Sequence, residues 1–221
     1  MSIKRGLARL KQTTPRTLDV AAVRGAIPGA ARETSHGTLH LVDEYLEPRH
    51  HHGRAPIADA LQVCTERLAQ LALDPALEGV DFRRALFFDT ETTGLAGGTG
   101  TVPFLIGIAW FEDESFRIQQ LFLPELGREA PMLHWLRERV QQSTCVVSFN
   151  GKTFDWPLLR NRFVMNRVKA PPLPPHLDLL HCARRIFRSR LKSVRLVELE
   201  RRVLGMYRED DISGALIPQL Y

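Results

Sequence analysis

Apolar residues gather into short blocks from residue 85 onward. Ala85-Leu86-Phe87-Phe88 is a continuous apolar run that ends on Asp89, the pattern of a short buried strand. Pro103 to Phe111 predicts a second strand. Phe116 to Leu123 alternates with period two and predicts a third. Glu112-Asp113-Glu114 supplies the turn between the last two, so the three predict an antiparallel meander. Residues 129–142 predict a helix with Pro131 in its first turn, where the missing N–H has no helical partner to lose. Cys145 to Ser148 predicts a buried strand, and residues 156–167 a helix with Pro157 in its first turn. Pro171, Pro172, Pro174 and Pro175 predict a stiff connector to a short strand or helix start at His176 to Leu180. Helices are predicted over 179–190 and 193–204, the second closed by Gly205. A meander followed by alternating helix and strand predicts an α/β fold: a mixed sheet, part antiparallel and part parallel, with flanking helices.

The first third of the chain has a different texture. Residues 1–32 are rich in Arg, Thr, Ala, Gly and Pro with little periodicity, and predict a mobile tail. Thr34 to Glu47 alternates around Leu39, Leu41 and Tyr45, as a strand or small hairpin would. Pro48 to Gly53 is a polar break containing His50, His51 and His52. Residues 56–73 place Ile57, Leu61, Val63, Cys64, Leu68 and Leu71 near helical spacing and predict one amphipathic helix, closed by Asp74-Pro75 and Gly79. The change in character divides the chain into residues 1–80 (tail, short strands and a helix) and a main domain over 81–221.

Composition narrows the class. With 221 residues, 44% of them hydrophobic and 25% charged, the chain suits one domain plus a flank, and wholesale disorder is excluded. The longest apolar run, Val102 to Phe111, is interrupted by Pro103 and Gly107, so no membrane span and no membrane partner is expected. The basic first residues lack the apolar core of a secretory signal. Cys64, Cys145 and Cys182 are far apart and odd in number, which suits a reducing, cytoplasmic setting. Charge is uneven: residues 81–150 carry -3 and residues 151–221 carry +7. An acidic middle beside a basic end suits a carboxylate site next to an anion-binding surface, or an arginine-rich composition without a ligand.

The candidate chemistry sits at two strand ends. In Phe87 to Leu95, Asp89 and Glu91 are two apart and so share a strand face. Carboxylates at the end of an apolar strand are costly without a compensating cation, and a hard divalent ion prefers carboxylate oxygen. In Val146 to Leu159, a buried strand delivers Asn150-Gly151, and Asp155 follows just before Trp156-Pro157. Asp155 could cap the following helix, or join the first two acids if the strand ends are adjacent. The Gly-rich Leu95 to Val102 lacks a P-loop lysine and predicts a flexible turn. Asp178, between His176 and His181, predicts a structural acid. Arg184, Arg185, Arg188, Arg190, Lys192 and Arg195 form the densest basic cluster, which suits either a phosphate track or a solvated helical face.

FFDTETTGL resembles the first exonuclease motif of the ribonuclease-H-like DEDD superfamily, and FNGKTFDWPLL resembles its second. The stretch from HLDLLHCARRIF through DISG is similar to the segment that follows in YprB-like proteins. The resemblance covers roughly residues 85–221 and implies a ribonuclease-H-like fold. It also implies a metal-dependent nuclease that hydrolyses phosphodiester bonds of DNA or RNA, as a 3′–5′ exonuclease using two Mg²⁺ or Mn²⁺ ions. By motif, Asp89, Glu91 and Asp155 would be the catalytic metal ligands. Thr92, Thr93, Gly94 and Leu95 would meet the terminal nucleotide of a single strand, with Asn150 and Lys152 as phosphate or sugar contacts. The family carries a fourth acid in a Tyr/His-x-x-x-Asp motif on a last helix. The chain stops at Tyr221, so that helix and motif are expected to be missing; Tyr207 to Asp211 fits the spacing only formally. The alternative that follows is a catalytically impaired nucleic-acid-binding module of the same fold.

Overall fold

The computed structural model describes residues 28–94, 100–113 and 115–208. The described strands are β1 (Ala30–Thr34), β2 (Gly37–Leu46), β3 (His51–His52), β4 (Ala55–Pro56), β5 (Ala85–Thr92), β6 (Pro103–Glu112), β7 (Ser115–Phe122), β8 (Cys145–Ser148) and β9 (His176–Asp178). The helices are α1 (Thr65–Ala72), α2 (Ala130–Gln142), α3 (Asp155–Met165), α4 (Leu179–Phe187) and α5 (Leu196–Leu199), which runs into a π-helical turn at Glu200–Leu204. Seven strands form one sheet in the order β1-β2-β7-β6-β5-β8-β9, and β3 pairs only with β4. From β1 to β5 all neighbours are antiparallel. β5, β8 and β9 are parallel. This is the expected mixed sheet flanked by helices.

Period-two alternation sorts side chains to its two faces. Leu86, Phe88 and Val146 join one core with Phe104 and Ile106, beneath Leu133 and Leu136 of α2 and Leu159 and Phe163 of α3. Ala85, Cys145 and Val147, one position out of phase, join a second core with Leu177, Ala69 of α1 and Cys182 of α4. Helices therefore cover both faces, and β5 is buried at Ala85, Leu86 and Phe88 and partly buried at Phe87, in keeping with its continuous apolar run. A buried ion pair ties the two helices of the first face together. Arg162 of α3 donates from Nε to Glu129 Oε2 at 2.6 Å and from Nη2 to Glu129 Oε1, just ahead of α2.

Three local expectations need correction. Ala30 to Arg32, expected within the tail, belong to β1, whose hairpin closes through the Thr34 hydroxyl donating to Gly37 O at 2.6 Å. The single helix over 56–73 is a 3₁₀ turn at Ile57–Gln62, an extended Val63-Cys64 and then α1. The backbone N–H groups of Ile57 and Ala58 are taken by His50 O and Pro48 O, which anchors this turn to the preceding polar segment. The helix over 193–204 is shortened to α5 and its π turn, ending at Gly205 (φ 65°) as expected. Among the described residues no helix is long and apolar enough to cross a membrane.

Candidate active site

The parallel arrangement of β5 and β8 brings their C-terminal ends side by side: Phe87 pairs with Val147, so Asp89 and the loop after Ser148 emerge at one edge. Open α/β sheets present their ligands at this edge. Asp89 is exposed, and Glu91 is half-buried. A register shift between Glu91 and Thr92 ends the regular pairing with β6. The chain then turns tightly. The Thr92 hydroxyl donates to Gly94 O at 2.7 Å, Thr93 N–H donates to Val102 O at 2.9 Å, and Thr93 Oγ1 accepts from Val102 N–H at 3.1 Å. Thr92 and Thr93 are thus engaged in shaping the turn, while Gly94 lies uncrowded beside Thr101. Leu95 lies outside the described residues, as do Asp210 and Asp211.

Asp155 is buried at the first turn of α3, where the helix dipole favours an anion. It accepts a short hydrogen bond from the hydroxyl of Thr90, the residue between the two acids of β5. Burial nevertheless pushes the Asp155 carboxyl above the usual carboxylate range. The Thr90 hydroxyl and nearby backbone N–H groups pull it back down, and the Glu91 charge raises it further. The structure therefore brings Asp155, Thr90 and Glu91 together. Asp89 and Glu91 flank Thr90 on β5, and Glu91 lies near enough for its charge to act on Asp155.

A second buried carboxylate builds the loop between β8 and α3. Asp178 Oδ1 accepts from Asn150 N–H at 2.8 Å and from Leu180 N–H at 3.0 Å, and Oδ2 accepts from Lys152 N–H at 3.1 Å. One side chain thus caps α4 and fixes the loop, with Asn150 held at φ 72°. Gly151 is required by contact: a Cβ there would overlap the Ser148 side chain and come within 3.2 Å of Asp155 Oδ2. Ser148 Oγ lies 2.8 Å from His176 Nε2. Burial and the Lys152 charge push the His176 imidazole down to about 4, so it is neutral at pH 7. The Lys152 ammonium lies 3.5 Å from Asp74 Oδ2, turned toward the segment after α1. Asn150 borders a cleft of about 390 Å³ together with Phe149, Leu180, Arg184 and the segment Ser193 to Leu196.

The donor set can be tested against a divalent cation. Carboxylate oxygen is the preferred ligand of Mg²⁺ and Mn²⁺, and a desolvated Asp155 beside the negative Glu91 is an environment that a cation would relieve. In chemistry the residues fit. Among the described residues, no group of three His, Cys, Asp or Glu side chains is gathered closely enough to hold an ion. Thr90, Ser148 and His176 are site residues that sequence reasoning missed. Thr90 carried one signal, its place between two acids; Ser148 and His176 carried none, being 28 positions apart.

Comparison with known proteins agrees with this architecture. A family model described as the RNase_H superfamily matches residues 86–221, from within β5 onward. The chain is also 36% identical over 175 residues to the uncharacterized protein YprB of Bacillus subtilis (strain 168). That match covers 78% of this chain and 42% of the relative, so the chain spans about two fifths of the relative's length. The mixed sheet with its parallel β5-β8-β9 segment, the acids at its C-terminal edge and these two similarities place the chain in one family: it belongs to the RNase H superfamily.

Proposed function

We propose that the chain is a divalent-metal-dependent nuclease that removes nucleotides from the 3′ end of single-stranded DNA or RNA. The observation that carries this reading is the buried carboxyl of Asp155, held by the hydroxyl of Thr90, the residue between Asp89 and Glu91 at the end of β5. Asp89, Glu91 and Asp155 would hold the cations. When bound, two such ions supply an activated water and stabilise the leaving 3′ oxygen. The chain's own residues have separate roles. Thr90 orients the Asp155 carboxylate through its hydroxyl. Asp178 holds Asn150 and Lys152 by their backbones, which keeps the loop rigid beside the terminal nucleotide. The turn at Thr92 to Gly94 offers backbone groups to that nucleotide's sugar and base.

A catalytically impaired nucleic-acid-binding module is the second reading. It is favoured by one observation: among the described residues no group of three His, Cys, Asp or Glu side chains is gathered closely enough to hold an ion.

A 5′-labelled single-stranded oligonucleotide incubated with Mn²⁺ separates the two. Stepwise shortening that stops with EDTA, and that falls by a factor on the order of 10³ in Asp89→Ala, supports the nuclease. Binding without shortening, equal in both proteins, would move the conclusion to the impaired module.

A further inference from the structure

Three residues of the basic cluster that sequence reasoning left open, Arg190, Lys192 and Arg195, line a cleft. Arg190, Lys192, Arg195, Arg201 and Arg202 line a cavity of about 650 Å³, where Glu198 is the one acidic residue among the described lining residues. Glu198 is shared by two of these cations, with Arg201 Nη2 at 2.9 Å and Arg202 Nε at 3.8 Å. Among the described residues Arg190, Lys192 and Arg195 make no ion pair, and all three are exposed. Arg201 engages Glu198 through Nη2 alone, so its fork is half used. The Arg201 Nε–H is buried with no hydrogen-bond partner among the described residues.

The cleft adjoins a second one that reaches the loop ahead of Asp155. It shares Ser193 and Arg195 with the smaller cleft bordered by Phe149 and Asn150, on the loop that Asp178 fixes ahead of Asp155. The connecting stretch is apolar at Leu180 and Leu196 and basic at Arg184 and Arg195. Apolar side chains and cations in one cleft suit a strand that offers both bases or sugars and phosphates. An isolated anion would need only the cations.

We propose that this cleft binds the backbone phosphates of a single nucleic-acid strand on the 5′ side of the nucleotide being removed. The proposal rests on the nuclease reading for its polarity, and on the cleft's own charge and the adjoining cleft for its ligand. The basic end of the chain then serves to position the substrate, holding the strand so that its 3′ end lies at the carboxylate edge.

The test is the salt dependence of binding to a fluorescent single-stranded oligonucleotide in EDTA. It compares wild type, an Arg190→Gln/Lys192→Gln/Arg195→Gln variant, and a charge-matched control. The control is Arg83→Gln/Arg167→Gln/Lys169→Gln: Arg83 precedes β5, and the other two lie in the return from α3 to β9, all exposed. The cleft variant is expected to bind more weakly across sequences, with a log K against log salt slope shallower by ~2, about 0.7 for each lost phosphate contact. The control is expected to match wild type. Equal effects in both variants, or none in either, overturn the proposal. So does wild type that prefers a poly-glutamate peptide to the oligonucleotide, which would point to an acidic protein. Mn²⁺-dependent cleavage by wild type separates the failures: if it persists, only the cleft assignment falls; if cleavage and binding are both absent, the nuclease reading falls with it.

Discussion

Asp155 and His176 are buried titratable groups within one loop of each other, and they push stability in opposite directions with pH. Asp155 has a folded carboxyl raised chiefly by burial, so the folded state holds its proton more tightly than the unfolded chain. Its contribution is fully present below the ordinary carboxylate range and is lost as pH rises through the folded value. Asp155→Asn keeps an acceptor for Thr90 and removes the charge. It is expected to raise the melting temperature at pH 7, and to show no gain at pH 3, while abolishing metal-dependent cleavage. His176 behaves inversely. Its imidazole drops from an ordinary 6.5 to about 4, so stability is complete above 6.5 and is lost as pH falls toward 4. That shift corresponds to about 3 kcal/mol between pH 7 and pH 4. Urea unfolding of wild type and His176→Gln at the two pH values checks it: the variant should lose most of the difference. Asp89, Glu91 and Asp155 were legible as candidates because acids at the ends of apolar strands stand out. Thr90 was not, because its partner lies 65 positions away.

At the scale of elements, two buried carboxylates connect neighbours that have little sequence in common. Asp178 joins β9 and α4 to the loop after β8 through three backbone N–H groups. Asp178→Asn would turn an amide donor toward at least one of these donors. It is expected to cost about 1–3 kcal/mol of stability and to lower cleavage by loosening the loop, both readable from thermal melts and single-turnover rates. Glu129, 1% exposed, relies on Arg162 to balance its charge. Arg162→Met would strand that charge and is expected to cost about 3–5 kcal/mol, whereas Glu129→Gln with Arg162→Met should recover much of it. A double-mutant cycle by chemical denaturation decides this, and an additive result would remove the pair from the account. The strands of the meander and β8 were legible because alternation and continuous apolar runs are local signals. The break before α1 was not, because apolar spacing near helical persists through the 3₁₀ turn while distant carbonyls of Pro48 and His50 decide the backbone.

For the molecule as a whole, the mixed sheet followed from the order of its blocks, but its far edge did not. β2 pairs with β7 from His40-Phe122 to Leu46-Phe116, a register set between segments far apart in the chain that no local pattern marks. The result is a seven-stranded platform with Asp89 and Glu91 at the end of β5, and a separate cleft lined by basic residues within 190–202. In the proposed function Asp89, Glu91 and Asp155 act together on a divalent cation. Titration of Mn²⁺ into the protein, followed by electron paramagnetic resonance, tests it most directly. Wild type should take up Mn²⁺, and Asp89→Asn, Glu91→Gln and Asp155→Asn should each weaken that uptake while remaining folded. Uptake that is absent in wild type, or undiminished in all three variants, would contradict the account.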